Sequence, residues 1–120
     1  MRVKCIKTSI DKADSSITNS DMREYLSINS LFWVFGVRLF RNITYVYIFD
    51  GNHLFEVPIE LFEIIDDNVS SEWKIKVWEV GEVTLWPDLF YEEKFLENFA
   101  ERENDERRFF EDLRKRIEKK

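Results

Sequence analysis

A run of residues that is apolar on both of its faces most constrains how this chain can fold. Residues 43–49 read ITYVYIF, so aromatic and aliphatic side chains occupy both alternating sets of positions. Successive side chains of a β-strand point to opposite faces of a sheet. A strand with two apolar faces is therefore expected at the centre of the molecule, or with a helix covering one side.

The flanking sequence predicts further strands, joined by turns. Residues 31–86 are rich in aromatic and β-branched residues, which favour strand. Gly36 lies inside the apolar segment 31–40, LFWVFGVRLF, and indicates a bulge or a sharp bend. Tight turns are predicted at Arg41-Asn42 and at Asp50-Gly51-Asn52, whose residue types are typical of hairpin turns. Pro58 is expected to end a strand and to begin a helical turn.

The segment WKIKVWEV, residues 73–80, alternates well and predicts another strand, followed after Gly81 by the short strand EVTLW. Trp73 and Trp78 fall on opposite faces of this strand, so at least one of them is expected to be only partly covered. Phe62, Ile64 and Trp73 are expected to point inward.

Residues 87–120 are expected to be helical. Pro87 and Asp88 suit a helix start, and two apolar stripes follow. A break near Asn104 and Asp105 is favoured between the stripes, because a continuous helix would interrupt its apolar face with Arg102 and Glu106. A continuous helix with a solvated middle is the alternative. The first stripe has Tyr91, Phe95, Leu96 and Phe99, and the second has Phe109, Phe110, Leu113 and Ile117.

These patterns predict one α+β domain that is mainly β, spanning residues 1–120. Residues 1–86 would form a small, strongly bent antiparallel sheet or barrel, and residues 87–120 a C-terminal helical tail. Its 120 residues can bury a real core. The polar stretch 12–24 is expected to be a loop, or to contain a helical turn capped by Asp21.

Composition excludes several classes of protein. Hydrophobic residues make up 44% of the chain, which argues against disorder, and no apolar run approaches the ~20 residues that a membrane span needs. The N-terminal residues lack the apolar core of an export signal, so a cytoplasmic location is expected. The net charge of −6 argues against a nucleic-acid binder and suits a basic protein partner.

The sequence offers little for catalysis. Cys5 and His53 are the only cysteine and histidine; Cys5 lies in a predicted strand, where a buried inert thiol is expected, and His53 follows a turn. Neither a glycine-rich phosphate loop nor a nucleophile elbow is present. We therefore predict no catalytic residues, no metal and no cofactor.

The stretch FEIIDDNVSSEW, residues 62–73, raises the question of a carboxylate site. Asp66 and Asp67 are adjacent, and in an extended segment they point to opposite sides, so they do not form a catalytic pair. Ser71 occupies the position where a calcium loop needs glycine. The stretch is interpreted as a polar turn in which side chains bond their own backbone, and the two aspartates also remain possible contacts for a basic partner.

Two segments resemble small bacterial immunity proteins, which protect a cell against a polymorphic or contact-dependent growth-inhibition toxin. The segments are VPIELFEIIDDNVSSEW, residues 57–73, and LWPDLFYEEKFLENF, residues 85–99. The resemblance covers residues 30–100 and rests on apolar and aromatic positions. It implies a Src-homology-3-like barrel with a helical tail, a cytoplasmic location, and stoichiometric binding of a toxin domain with no catalysis.

Three functional hypotheses follow, of which the third, a nucleic-acid-binding small barrel, is opposed by the net charge of −6. The first is a toxin-neutralising protein whose partner is basic, with no nucleic-acid or membrane partner and with its oligomeric state left open. The second is a small ligand-binding module or enzyme with a pocket lined by Tyr45, Tyr47 and Trp86, and with Asp66 or Glu63 as its polar group. Candidate contacts for the first are Asp66, Asp67, Glu72, Trp78, Glu93, Glu97 and Glu101.

Overall fold

The computed structural model describes residues 1–10, 20–21, 26–101 and 104–118. Within them the chain has the predicted α+β fold, mainly strand, with two antiparallel sheets and a C-terminal helical region. The strands are β1 Arg2–Cys5, β2 Ser9–Ile10, β3 Ser20–Asp21, β4 Leu31–Trp33, β5 Gly36–Phe40, β6 Ile43–Phe49, β7 Leu54–Pro58, β8 Phe62–Asp66, β9 Trp73–Val77 and β10 Val83–Pro87. The helices are α1 Asp88–Tyr91, α2 Phe95–Ala100 and α3 Asn104–Ile117, and a 3₁₀ turn spans Ile59–Leu61.

The first sheet has the order β4-β1-β8 and the second has the order β7-β6-β5-β10-β9. β4 and β5 are two halves of one bent strand, separated by Val34 and Phe35, so the same segment belongs to both sheets. The 3₁₀ turn connects the two sheets between β7 and β8. With β4 and β5 taken as one bent strand, the strands β8, β1, β4–β5, β6 and β7 are neighbours in that order, and β10 of the β9–β10 hairpin pairs with β5.

The predicted turns and the predicted bend are confirmed. Arg41 and Asn42 join β5 to β6 with φ angles of 53° and 66°, which the close two-residue hairpin turn requires. Asp50 begins the β6–β7 hairpin turn, and Pro58 is followed by the 3₁₀ turn. Gly36 lies at the point where the bent strand resumes as β5.

Two apolar cores lie on opposite faces of the second sheet, and β6 contributes to both. This confirms the expectation from its two apolar faces. The barrel core lies between the two sheets and contains Val3, Cys5, Leu26, Val34, Val37, Ile43, Val46, Ile48, Val57, Leu61, Phe62 and Trp73. The helix core lies between the second sheet and the helices and contains Phe35, Phe90, Phe95, Phe99, Phe110, Leu113 and Ile117, with Tyr47, Phe49 and Trp86 partly buried against it.

The helical region has three helices, and the predicted break falls between α2 and α3. A second break was not predicted: α1 ends at Tyr91, and Lys94, with a left-handed φ of 64°, lies directly before α2. Tyr91 and Phe95 therefore lie on different helices. Phe110, Leu113 and Ile117 are buried as expected. The expectation for Phe109 is wrong, since α3 turns Phe110 to the core and leaves Phe109 47% exposed.

Other expectations are met or corrected by the sheets. Phe62 and Trp73 are buried, but Ile64 is 46% exposed, because β8 is an edge strand of the first sheet. Cys5 is buried in β1, and burial raises the pKa of its thiol, as expected of an inert cysteine. Of the stretch 12–24, only Ser20 and Asp21 are described; Asp21 pairs with Ser9, and the helical turn proposed after it lies outside the described residues.

Among the described residues, we find no helix with the length and apolar character needed to cross a membrane.

Candidate partner-binding surface

A cleft between α1 and α3 is lined by three acidic side chains and an exposed aromatic ring. We call it the acidic cleft, and its volume is about 290 Å³. It is lined by Asp88, Leu89, Glu92, Phe109, Asp112 and Arg116.

Both helices place these side chains through their packing on the sheet. α1 begins directly after β10, so Asp88 lies at the first helical position and Phe90 is buried in the helix core. On α3, burial of Phe110 and Leu113 orients the neighbouring positions toward the cleft. Phe109 and Asp112, three residues apart, and Arg116, a further four along, share one helical face.

Arg116 organises the polar side of the cleft. Its Nε donates to Glu72 Oε1 at 2.9 Å, which ties the β8–β9 loop to α3 across 44 residues of sequence. Its Nη1 donates to the carbonyl oxygen of Asp112 at 3.4 Å. The backbone N–H of Glu72 donates to Ser70 Oγ at 3.1 Å, so the loop side of this ion pair is held in place as well.

The cleft combines negative charge with an exposed aromatic ring. Asp88, Glu92 and Asp112 line it beside Arg116, and the guanidinium of Arg116 also pairs with Glu72 of the β8–β9 loop. Phe109 is 47% exposed at its wall. An arginine or lysine of a partner could pair with the carboxylates while its charged group stacks on the phenylalanine ring.

The structure describes no metal centre to compete with this interpretation. Within residues 1–10, 20–21, 26–101 and 104–118, no group of three or more histidine, cysteine, aspartate or glutamate residues is arranged to hold a metal ion.

The predicted contacts are divided among separate places. Glu72 reaches the acidic cleft through Arg116, whereas Asp66 accepts a hydrogen bond from the backbone N–H of Asn68 at 3.0 Å. This self-bonded turn confirms the interpretation of FEIIDDNVSSEW. Asp67 is exposed in the same loop. Glu93, Glu97 and Glu101 are exposed around α2 and do not line the cleft.

Trp78 is partly covered, in agreement with the expectation that one of the two tryptophans would be. Its Nε1 donates to Thr84 Oγ1 at 3.1 Å, and Thr84 Oγ1 lies 2.7 Å from the hydroxyl of Tyr91. Lys76 Nζ lies 3.8 Å from the centroid of the Trp78 ring. Trp78 is thus part of a hydrogen-bonded group that anchors α1 to the β9–β10 hairpin, and its role as a partner contact stays a prediction.

The acidic cleft includes three carboxylates that sequence reasoning missed: Asp88, Glu92 and Asp112. Asp88 lies in α1, Glu92 directly follows it, and Asp112 lies in α3. The position of α1 relative to α3 depends on the break at Glu92–Lys94, which the sequence did not predict. The i, i+3 spacing of Phe109 and Asp112 is the one sequence feature that could have predicted their common face. It was not used, because Phe109 was assigned to the buried stripe.

A second cavity lies between β7 and α2 and has a volume of about 340 Å³. We call it the β7–α2 pocket. Of the predicted pocket residues, Tyr47 lines it, whereas Tyr45, Trp86, Asp66 and Glu63 are not among its lining residues. Its lining consists of Tyr47, His53, Leu54, Phe55, Glu56, Leu96, Phe99, Ala100 and Arg107.

Hydrogen bonds fix the positions of the charged side chains that line the β7–α2 pocket. Glu56 receives two hydrogen bonds from Arg38, at 2.6 and 2.9 Å, which raise the pKa of that guanidinium. Burial, with a smaller contribution from Glu56, raises the pKa of Tyr47. Arg107 donates to the carbonyl oxygens of Asn52 at 2.7 Å and Phe99 at 3.2 Å.

Comparisons of the chain with protein-family models, with curated proteins and with solved structures found no match. Function is therefore inferred from the geometry of the chain itself.

Proposed function

We propose that this chain is an immunity protein, one that binds and neutralises a cognate bacterial toxin in the cytoplasm by stoichiometric contact. The acidic cleft carries the proposal, because three carboxylates and an exposed phenylalanine line it, and Arg116 links it to a fourth carboxylate, that of Glu72. No catalytic residue, cofactor or metal is assigned.

A basic toxin domain is the partner whose chemistry this surface fits. Toxins that act on nucleic acids carry basic grooves, and an acidic inhibitor uses that charge for fast encounter and for selectivity. The exposed Phe109 beside the carboxylates provides an apolar contact that a purely electrostatic surface would lack. Aromatic residues at the centre of an interface commonly contribute much of the binding free energy.

The proposal predicts that a large secreted protein with a variable C-terminal domain is encoded immediately upstream. We expect that domain to bind this chain at one-to-one stoichiometry in calorimetry, and co-expression of this chain to restore growth of cells that produce the domain. A toxin domain that leaves this chain unbound in calorimetry and in a pull-down would overturn the proposal.

The contact surface is tested by two matched double variants. Reversing Glu92 and Asp112 to lysine should weaken binding about tenfold or more, because both carboxylates lie in the cleft. Reversing Glu97 and Glu101 to lysine changes the net charge equally on exposed positions outside the cleft. A larger loss from the second variant would place the contact on α2, where sequence reasoning expected it.

A second candidate function, a small ligand-binding module, is favoured by the β7–α2 pocket. Its volume of about 340 Å³ lies within the usual range for small-molecule sites. Its lining is largely apolar and aromatic, with His53, Glu56 and Arg107 as the polar side chains, which suits an aromatic ligand that carries a polar group. We expect such a module to bind 8-anilinonaphthalene-1-sulfonate saturably at one site, and Ala100→Trp to abolish binding. Absence of saturable binding would eliminate this candidate.

A further inference from the structure

Strand β9 leaves one edge of the second sheet open. The order of that sheet is β7-β6-β5-β10-β9, so β9 pairs with β10 on one side and with no other described strand on the opposite side. Such an edge presents backbone N–H and C=O groups that another strand can pair with.

The hairpin register identifies which backbone groups point outward. Trp78 N–H donates to the carbonyl of Glu82 at 2.8 Å, so this pair is hydrogen-bonded. In an antiparallel pair, bonded and non-bonded positions alternate. The backbone N–H and C=O groups of Lys74 and Lys76, which lie opposite Trp86 and Thr84, therefore point toward β10. The N–H and C=O groups of Ile75 and Val77 point away from the sheet.

The same two residues carry exposed apolar side chains. Ile75 is 68% exposed and Val77 is 69% exposed. They continue an apolar face that begins in the barrel core at Val37 and crosses β10 at Leu85 and Val83. An apolar surface of this kind, continuous with the core and ending at an open edge, is typical of an interaction site.

The opposite face of β9 is basic. Lys74 and Lys76 are exposed there, and Lys76 lies over the ring of Trp78. A second copy of the chain is a poor occupant of the edge. Two β9 edges can hydrogen-bond only where the outward backbone groups of one copy meet the outward groups of the other. Within the bounds of β9, the antiparallel registers that do so for both Ile75 and Val77 set Lys76 opposite Lys76 or Lys74 of the second copy. Like charges directly opposite one another destabilise a strand pair.

We propose that β9 binds an extended segment of a partner protein as an added sixth strand of this sheet. The segment would have alternating apolar and acidic residues, with its apolar side chains beside Ile75 and Val77 and its acidic side chains beside Lys74 and Lys76. Backbone hydrogen bonds would provide affinity, and the alternating pattern would provide specificity. The inference is independent of the proposed function, since it concerns a different surface and an acidic partner segment.

The test uses blocked peptides of alternating valine and glutamate, or of alternating valine and lysine, with seven residues each. In amide NMR titrations of the whole chain, we expect the valine–glutamate peptide to shift resonances in β9 and to slow hydrogen exchange at Ile75 and Val77. The valine–lysine peptide should bind at least about fivefold more weakly, because two cross-strand charge pairs become repulsive.

Two changes, one in the peptide and one in the protein, distinguish pairing through the backbone from non-specific hydrophobic binding. A valine–glutamate peptide that is N-methylated at its valine residues lacks the N–H groups that would pair with Ile75 and Val77. This peptide should not bind β9. On the protein, Ile75→Pro removes an outward N–H without removing a bond to β10, and it should abolish binding. Ile75→Thr keeps the N–H and should weaken binding only a few-fold.

Several outcomes would overturn the proposal. These are unchanged binding by Ile75→Pro in a chain shown to be folded, equal binding of the valine–lysine peptide, or no binding of the valine–glutamate peptide at millimolar concentration. Light scattering that detects a dimer disrupted by Ile75→Pro would assign the edge to a second copy instead.

Discussion

At the scale of single residues, Gly36 shows how one missing Cβ lets the bent strand pack closely against the helix core. A Cβ built at this position would lie 2.8 Å from Cδ1 of Trp86 and 3.3 Å from the ring of Phe90. The bent strand therefore passes directly beneath the aromatic side chains that connect β10 and α1. Sequence reasoning predicted the bend at Gly36 but could not predict this close approach, because Trp86 lies 50 residues further along the chain.

We expect Gly36→Ala to reduce the free energy of unfolding by about 1–3 kcal/mol, since the added methyl group overpacks a closed site. Urea denaturation measures the change. Combining Gly36→Ala with Trp86→Phe should cost less than the sum of the two single changes, because the smaller ring leaves room for the methyl group. Strict additivity in this double-mutant cycle would contradict the proposed clash.

Asp50 illustrates a charged group that stabilises a turn. Burial disfavours its charge, but its Oδ1 accepts hydrogen bonds from the backbone N–H groups of His53 at 2.6 Å and Asn52 at 2.8 Å. These bonds outweigh the burial and lower the pKa of Asp50. A lowered folded-state pKa means that the ionised form stabilises the fold, and this contribution is lost as the pH falls through that pKa.

We therefore expect Asp50→Asn to lower the free energy of unfolding by up to about 1 kcal/mol at pH 7. The difference from the original chain should shrink as the pH falls below about 4, where the Asp50 carboxylate of the unfolded chain takes up a proton, and it should be lost below the lowered pKa of the folded chain. Asp50→Ala is the control, because it removes the acceptor and should destabilise at both ends of the pH range. A constant difference between Asp50→Asn and the original chain from pH 7 to pH 3 would contradict this account.

At the scale of elements, α3 is held by a cluster of aromatic rings around Phe110. Its ring centroid lies 5.1 Å from that of Phe35, 4.9 Å from that of Phe49 and 5.0 Å from that of Phe99. These rings come from the bend of β4–β5, from β6 and from α2, so one side chain joins three parts of the fold. Phe109, its neighbour, faces the acidic cleft instead.

Phe110→Ala should lower the free energy of unfolding by about 3–5 kcal/mol, because it leaves a large cavity in the helix core. Phe109→Ala should change stability by less than about 1 kcal/mol while weakening binding to the toxin domain. Thermal denaturation and calorimetry together measure both effects. Similar destabilisation by the two substitutions would mean that Phe109 also contributes to the core.

The contrast between these two phenylalanines illustrates what an amphipathic pattern leaves open. Their stripe predicted a helix, and Leu113 and Ile117 predicted its buried face. The exact face depends on where the helix begins and how it is rotated on the sheet. The breaks at Glu92–Lys94 and before Asn104 reset that rotation, and the first break depends on a left-handed lysine that sequence pattern does not predict.

At the scale of the whole molecule, the fold places groups of opposite charge on different parts of the surface. Carboxylates from the β8–β9 loop, α1 and α3 converge on the acidic cleft, while Lys74 and Lys76 lie on the exposed edge strand β9. The net charge of −6 therefore understates the local field at the cleft. Encounter with a basic partner is governed by that local field.

We expect the association rate with the toxin domain to fall several-fold as ionic strength rises from about 0.05 to 0.5 M, because salt screens attraction between exposed charges. Stopped-flow fluorescence at several salt concentrations measures it. The double reversal of Glu92 and Asp112 should flatten this dependence, whereas reversal of Glu97 and Glu101 should affect it less. An association rate that does not change with salt would count against an acidic docking surface.

The sequence by itself determined the local features of this protein: the two-faced strand β6, the hairpin turns, the 3₁₀ turn after Pro58, the buried Cys5 and the self-bonded turn at Asp66. Each depends on residues close together in the chain, where alternation and turn chemistry act directly. Only the tertiary structure decided that β9–β10 docks beside β5, that Phe109 is exposed, and that Asp88, Glu92 and Asp112 line one cleft with Arg116, which pairs with Glu72. Those outcomes depend on how elements far apart in sequence pack together, which no local periodicity encodes.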